Sequence, residues 1–223
     1  MPVRLELLKT ACYFSKLAIA DLEDVGRFVF EKKFAPNEVV LWEGEEDHTL
    51  YFVISGLLKL FATSAEGREF IVRLAYGGGA LNDDAIFAGG PNFLSAMSAS
   101  PVVLYGLNRQ DLTQILNSHP QVNMRVAEVF AARQRHLVRL ATELVFKNVT
   151  GRLARLLLER EKLAQAGDKE LKITQQEMAS MIGTVRELVS RSLRELEEMD
   201  AISLNRNQIV ITDRKRLLEL GSV

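Results

Sequence analysis

The residues best equipped for chemistry lie in one segment, ITQQEMASMIGTVRELVSRSLREL, residues 173–196. Arg186, Glu187 and Arg191 fall within two helical turns of each other. An arginine can hold guanine O6 and N7 through two hydrogen bonds, and a glutamate can accept from cytosine N4. The chemistry on offer is therefore non-covalent reading of base edges in a DNA major groove. Covalent chemistry has no comparable support. There is no nucleophile elbow and no P-loop. Gly77-Gly78-Gly79 lacks the strand and helix that a phosphate-cradling loop needs, so it reads as a turn. The three histidines, His48, His119 and His136, are widely spread, with no His-x-His pair of the kind a metal-binding barrel uses. Cys12 stands alone and can form neither an internal disulfide nor an iron–sulfur cluster. No catalytic or metal-ligating residue is assigned, and the chain does not read as an enzyme.

Such a reader must be held by a helix-turn-helix. Thr174 and Glu177 have capping-box spacing for a first helix ending near Met181. Gly183 breaks it, and Thr184 is placed to cap a second helix from Val185 to about Met199. Ala179, Gly183 and Val189 supply a small residue where the helices touch, a glycine at the turn and an apolar residue entering the core. Val189, Leu193, Leu196 and Met199 form the stripe to be buried, leaving Arg186, Glu187, Ser190, Arg191 and Arg194 on other faces. Residues 201–211 then read as a hairpin, the wing of a winged helix, with Arg206 in its turn placed to meet phosphate. Asp213 can cap a closing helix through Leu220. Thr174, Gln175, Arg186, Glu187, Ser190, Arg191 and Arg206 are the candidate DNA contacts.

Upstream the pattern differs. Leu5, Leu8, Leu17, Leu22 and Val25 have helical spacing and predict one or two short helices. From Phe28 to about Leu107, short runs rich in Val, Ile, Leu, Phe and Tyr alternate with turn signals about every ten residues, as in an antiparallel roll. The uncharged stretch Ala85–Asn108 is broken by Gly89-Gly90-Pro91 and several serines, so it reads as strands and turns and not as a membrane span. Asn108 can cap a short helix over Arg109–Asn117. After Pro120 a long helix runs to about Phe146, its seam formed by Val122, Val126, Val129, Leu137, Leu140 and Leu144, with Arg133 intervening. A dimer interface is the favoured reading, and packing on its own barrel is the alternative. Asn148-Val149-Thr150-Gly151 reads as a hinge before a helix from Arg152 to Ala164. The expected fold class is α+β: an N-terminal antiparallel, jelly-roll-like β-roll over 1–118, a long dimerisation helix and hinge over 119–147, and a C-terminal winged helix-turn-helix over 148–223.

Composition fits. With 223 residues and 48% apolar content the chain can bury two cores. Residues 1–146 hold 14 basic and 17 acidic side chains, and residues 147–223 hold 14 and 12, a mild asymmetry that permits a nucleic-acid partner in the second half. The start MPVRLELLK has no apolar signal core, so a cytoplasmic protein with no membrane partner is expected.

At this point the sequence resembles the Crp/Fnr superfamily of bacterial transcription regulators over nearly its whole length. The matching pieces are GEEDHTLYFVISGLLKL (44–60), EGREFIV (66–72), FKNVTGRLARLLL (146–158) and ITQQEMASMIGTVRELVSRSLRELEEMDAI (173–202). Arg186, Glu187 and Arg191 match the recognition pattern of the catabolite-activator branch; Glu187, Ser190 and Arg191 match that of the oxygen-responsive branch. The resemblance implies a homodimer on a palindromic site in double-stranded DNA, RNA polymerase as a partner where the protein activates, and a small effector in the roll. The loop at Ala164–Glu170 is short where activator members meet polymerase.

The resemblance also locates the effector site. Members that bind cyclic nucleotides hold ribose and phosphate with a Gly-Glu and an Arg-Ser pair. Here Asn82-Asp83 and Phe93-Leu94 occupy those positions, and no arginine lies between Arg73 and Arg109. A buried phosphodiester without a cation is costly. The hydroxyl residues that would meet adenine become Leu137 and Val138. cAMP is therefore not the expected effector. A more apolar pocket is expected, drawn from Leu81, Asp83, Ile86, Phe87, Phe93, Leu94, Met97, Leu137 and Val138, with Leu140 beside them. Haem stays an alternative, with the three histidines or Cys12 as ligands, and Cys12 as an oxidation sensor is a further option, though a quiet thiol is favoured.

Overall fold

The computed structural model describes residues 3–165, 173–205 and 208–221. In chain order the elements are α1 (Leu5–Leu8), α2 (Ile19–Gly26), β1 (Phe30–Phe34), β2 (Val39–Leu41), β3 (Thr49–Ser55), β4 (Leu58–Thr63), β5 (Glu69–Ala75), β6 (Ala80–Leu81), α3 (Asp83–Ala88), β7 (Ser95–Ser98), β8 (Val102–Asn108), α4 (Arg109–Ser118) and the long α5 (Gln121–Phe146). They continue as α6 (Val149–Gln165), α7 (Gln175–Ile182), α8 (Arg186–Glu198), β9 (Ile202–Asn205), β10 (Gln208–Ile211) and α9 (Arg214–Gly221). No helix among the described residues is long and apolar enough to cross a membrane. The chain divides into two compact units. One is Met1–Ala62 with Val72–Gln134; the other is Thr63–Ile71 with Arg135–Val223.

The first unit is the roll. Its strands form two four-stranded sheets, ordered β1-β8-β3-β6 and β2-β7-β4-β5. Inward residues Leu41, Tyr51, Val53, Leu58, Leu60, Leu81 and Leu104 fill one core. A second core forms where Leu8, Tyr13, Phe14, Leu22 and Val25 meet Phe52, Tyr105, Leu107, Leu112 and Val122. The N-terminal helices and the start of α5 thus close one side of the roll. Val126 and Val129 also pack against this core, so the first half of the expected α5 seam faces the chain's own roll. Of the second half, Leu137 and Leu144 are exposed and Leu140 is half-buried; Val138, Val145 and Phe146 beside them are exposed as well.

One uncharged stretch departs from expectation. Residues 85–88, read as strand or turn, lie in the helix α3. Asn82 adopts a left-handed backbone (φ 63°) that ends β6. Asparagine tolerates that conformation better than most residues. Asp83 and Asp84 then fall in the first turn, where the helix dipole favours negative charge.

The second unit is built on a helical core of Leu153, Ala154, Leu157, Met178, Ala179, Val189, Leu193, Leu196, Ile202 and Leu217. Full burial of each leucine contributes about 1.5–3 kcal/mol. β9 and β10 pair antiparallel, with Ile202 opposite Ile211 and Asn205 opposite Gln208.

The expected hinge is corrected here. Val149, Thr150 and Gly151 are the first turn of α6, not a linker before it. Asn148 initiates the turn by accepting from the Gly151 N–H at 2.8 Å. Thr150 Oγ1 donates to Glu195 at 2.7 Å and lies 3.0 Å from Ser192 Oγ. Arg152 donates to the Ile182 carbonyl at 2.8 Å and the Lys147 carbonyl at 2.7 Å. A side chain at 151 would press within 2.8 Å of the Leu220 carbonyl. The VTGR segment is therefore the bolt that joins α6 to α7, α8 and α9.

Candidate functional site

The reading face is assembled from short-range rules. α7 opens on a complete capping box. Glu177 N–H donates to Thr174 Oγ1 at 3.2 Å, and Thr174 N–H donates to Glu177 Oε2 at 2.8 Å. α7 ends at Gly183, whose φ of 65° suits glycine. The expected Thr184 cap is not formed. Thr184 N–H closes the end of α7 on the Ala179 carbonyl at 3.0 Å. The position before α8 falls to Val185, which offers no side-chain cap. On α8, Val189, Ser192, Leu193 and Leu196 are buried, while Met199 is half-buried. Arg186, Glu187, Arg191 and Arg194 are exposed and Ser190 is half-buried. Thr174 is exposed and Gln175 half-buried at the start of α7. Arg206 lies outside the described residues, as does most of the loop expected at Ala164–Glu170.

A profile of the Crp-like helix-turn-helix domain matches residues 151–220, and one of the cyclic nucleotide-binding domain matches residues 31–119. The chain belongs to the Crp/Fnr superfamily. A CRP-like cAMP-activated global transcriptional regulator of Mycobacterium tuberculosis is 30% identical over 192 residues, covering 82% of this chain and 84% of that protein. A putative transcriptional regulator of the same family from Eubacterium rectale superposes with a TM-score of 0.73 at 25% identity, covering 93% of this chain and 96% of its own. FixK2 of Bradyrhizobium japonicum shares the fold, with a TM-score of 0.76 at 24% identity over 87% and 98% of the two chains. This Crp/Fnr chain is thus a DNA-binding transcription regulator with a nucleotide-binding-like domain, and its relatives are regulators rather than enzymes.

The interior of the roll carries charge. Asp83 is 1% exposed. Its carboxylate accepts from the Tyr13 hydroxyl and is ion-paired with Arg133 of α5. Arg133 Nη2 also donates to the Ala80 carbonyl at 2.8 Å, and Arg73 of β5 donates to the same oxygen at 2.7 Å. Burial and the neighbouring Asp83 push the Tyr13 hydroxyl far above its ordinary range, so it stays a proton donor. Burial and the charge of Arg133 push Arg73 down to about 10. Phe87 stands edge-on to Phe130 at 5.8 Å and to Tyr13 at 6.4 Å, and Arg133 lies 5.8 Å from the Phe130 ring.

The other expected pocket residues differ widely in exposure. Leu81 and Ile86 are buried, Leu94 packs against the roll core and Met97 is half-buried. Phe93 is 74% exposed. Leu137 and Val138 belong to the second unit and are 50% and 59% exposed. A cleft of about 200 Å³ between α2 and α4, lined by Asp24, Phe28, Ile115 and His119 among others, includes none of them. His119 sits 3.6 Å from Asp21, His48 is exposed near Glu46, and His136 contacts Arg139. Burial raises the Cys12 thiol, which disfavours the reactive thiolate. Sequence reasoning did not bring Arg73 and Arg133 together beside Ala80 and Asp83. It sought the cation within the α3–β7 segment, whereas these two arrive from β5 and α5.

Proposed function

We propose that this regulator acts as a homodimer on an inverted-repeat promoter site, and that a small effector in the roll controls its DNA affinity. The observation that carries the reading is α8 itself: Arg186, Glu187 and Arg191 stand free in its first two turns, above a fully buried stripe. Arg186 and Arg191 each favour a guanine and Glu187 accepts from a cytosine. Arg206 meets phosphate, which fixes register without reading sequence. The exposed apolar run Leu137, Val138, Leu144, Val145 and Phe146 supports pairing of two α5 helices. Two readers related by a two-fold then meet half-sites about one helical turn apart. RNA polymerase is the partner if the protein activates.

cAMP is not the effector in this reading, because Phe93 and Leu94 stand where the phosphate clamp would be. Calorimetry with cAMP should show no binding at micromolar levels; saturable binding that raised DNA affinity would reverse this point. Haem-dependent gas sensing is the alternative within the family, and a strong absorption band near the blue–violet edge in the purified protein would favour it.

Binding-site selection with the full-length protein tests the whole reading and should return an inverted repeat. Replacing Leu137 and Leu140 with aspartate should give a monomer by sedimentation and abolish selection of that repeat. A variant that stays dimeric would place the interface elsewhere.

A further inference from the structure

Resting on the reading that an effector acts in the roll, we propose that this effector is a small organic anion, its carboxylate or phosphoryl oxygens held by Arg73 and Arg133. Both guanidiniums converge on the Ala80 carbonyl oxygen, at 2.7 and 2.8 Å. Two like charges brought to one neutral oxygen repel each other. Only one of them is answered in contact. Asp83 pairs with Arg133, while Arg73 has no carboxylate within 4.0 Å among the described residues. A guanidinium offers five N–H donors, and the Arg73 contact to Ala80 uses one.

The electrostatics agree with that geometry. Arg73 is held below its ordinary range by burial first and by Arg133 second, with Asp83 and Asp84 opposing. A buried cation short of a partner is costly, and an anion with two oxygens can answer it by the fork geometry that suits guanidinium. Asp83 is the resident counter-charge, and the anion competes with it for Arg133. The Tyr13 hydroxyl, already a donor to Asp83, would hold the carboxylate as it loses that pairing. Phe87 packs edge-to-face with Phe130 and with Tyr13, and the Phe130 ring adjoins Arg133, which favours an anion carried on a flat apolar group.

The test uses the full-length protein at fixed ionic strength, with benzoate and phenyl phosphate as probes and benzamide as the neutral match. Calorimetry and thermal shift should show saturable binding of at least one anion and none of benzamide. Arg73→Met should weaken that binding by roughly tenfold or more, the range of a charge-assisted hydrogen bond, and Arg73→Lys should restore part of it. Without ligand, Arg73→Met should melt no lower than wild type, because it removes an underpaired cation; a lower melting point would make Arg73 a structural strut and overturn the proposal. Equal binding of benzamide, undiminished binding by Arg73→Met, or no saturable binding of either anion would also overturn it. DNA affinity is followed separately by fluorescence anisotropy. Anion binding without any effect on DNA would leave this site standing and count against effector control; intact DNA selection without anion binding would do the opposite.

Discussion

In the DNA-reading unit, the charges that define the site stand in water above an apolar stripe. In the roll, the defining charges lie inside, and they hold each other. Arg186, Glu187 and Arg191 are exposed on α8 while Val189, Leu193 and Leu196 hold the helix down. Asp83 is almost wholly buried and is tied to Tyr13 and Arg133. The difference separates stability from recognition in one unit and fuses them in the other. An exposed charge on α8 can change without unfolding anything, because water already solvates it and the buried stripe holds the helix. Asp83 and Arg133 cannot, because removing either one leaves the other buried and unanswered.

The largest expected effect tests the fused side. Arg133→Met leaves Asp83 without its cation and should destabilise the roll by about 3–5 kcal/mol. The sole tryptophan, Trp42, lies in the roll, so its fluorescence during urea unfolding reports that unit alone. Adding Asp83→Asn to Arg133→Met should recover much of the loss. A single variant as stable as wild type would show that the pair contributes nothing.

On the separable side, Arg191→Ala should leave the Trp42 transition unchanged and weaken DNA binding by roughly 1–3 kcal/mol per half-site, with relaxed preference at one base pair. If the selected motif kept its information at every position, α8 would not be the reader. The smallest effect lies in the frame that presents α8. Thr174→Ala breaks the capping box and should cost the reading unit about 1 kcal/mol. Circular dichroism would show this as a slightly earlier helical melt with the same base preferences. A changed motif would make Thr174 a base contact instead of a cap.

How much could be read in advance follows the same division. α7, α8 and the wing depend on residues within a few positions of each other. The capping box spans 174 to 177 and the turn glycine sits at 183, so local rules found them. The Thr184 cap failed at the same range, because its backbone closes α7 while Val185 takes the position before α8. α3 was missed since six residues beside Gly89 and Gly90 carry too little periodicity to register. The roll cluster was missed for a different reason. Tyr13, Asp83 and Arg133 are separated by 70 and 50 residues along the chain, and nothing in a one-dimensional pattern says that α5 should deliver a guanidinium to α3. The seam on α5 was legible as apolar, but periodicity could not say that its first half would be spent on the chain's own core at Val122, Val126 and Val129.

The joint between α5 and α6 bears on how such regulators could be recombined. The helix break at Lys147-Asn148 looks like the natural place to cut and graft a new sensor. The contacts argue for an earlier cut. Lys147, just past the end of α5, donates to the Gly221 carbonyl at the end of α9, and Glu143 of α5 meets Arg155 of α6 at 2.6 Å. Arg139 lies 3.5 Å from Glu159. The transplantable module therefore begins near Arg135, and a chimera joined at 148 would discard the anchoring ends of its own reading head.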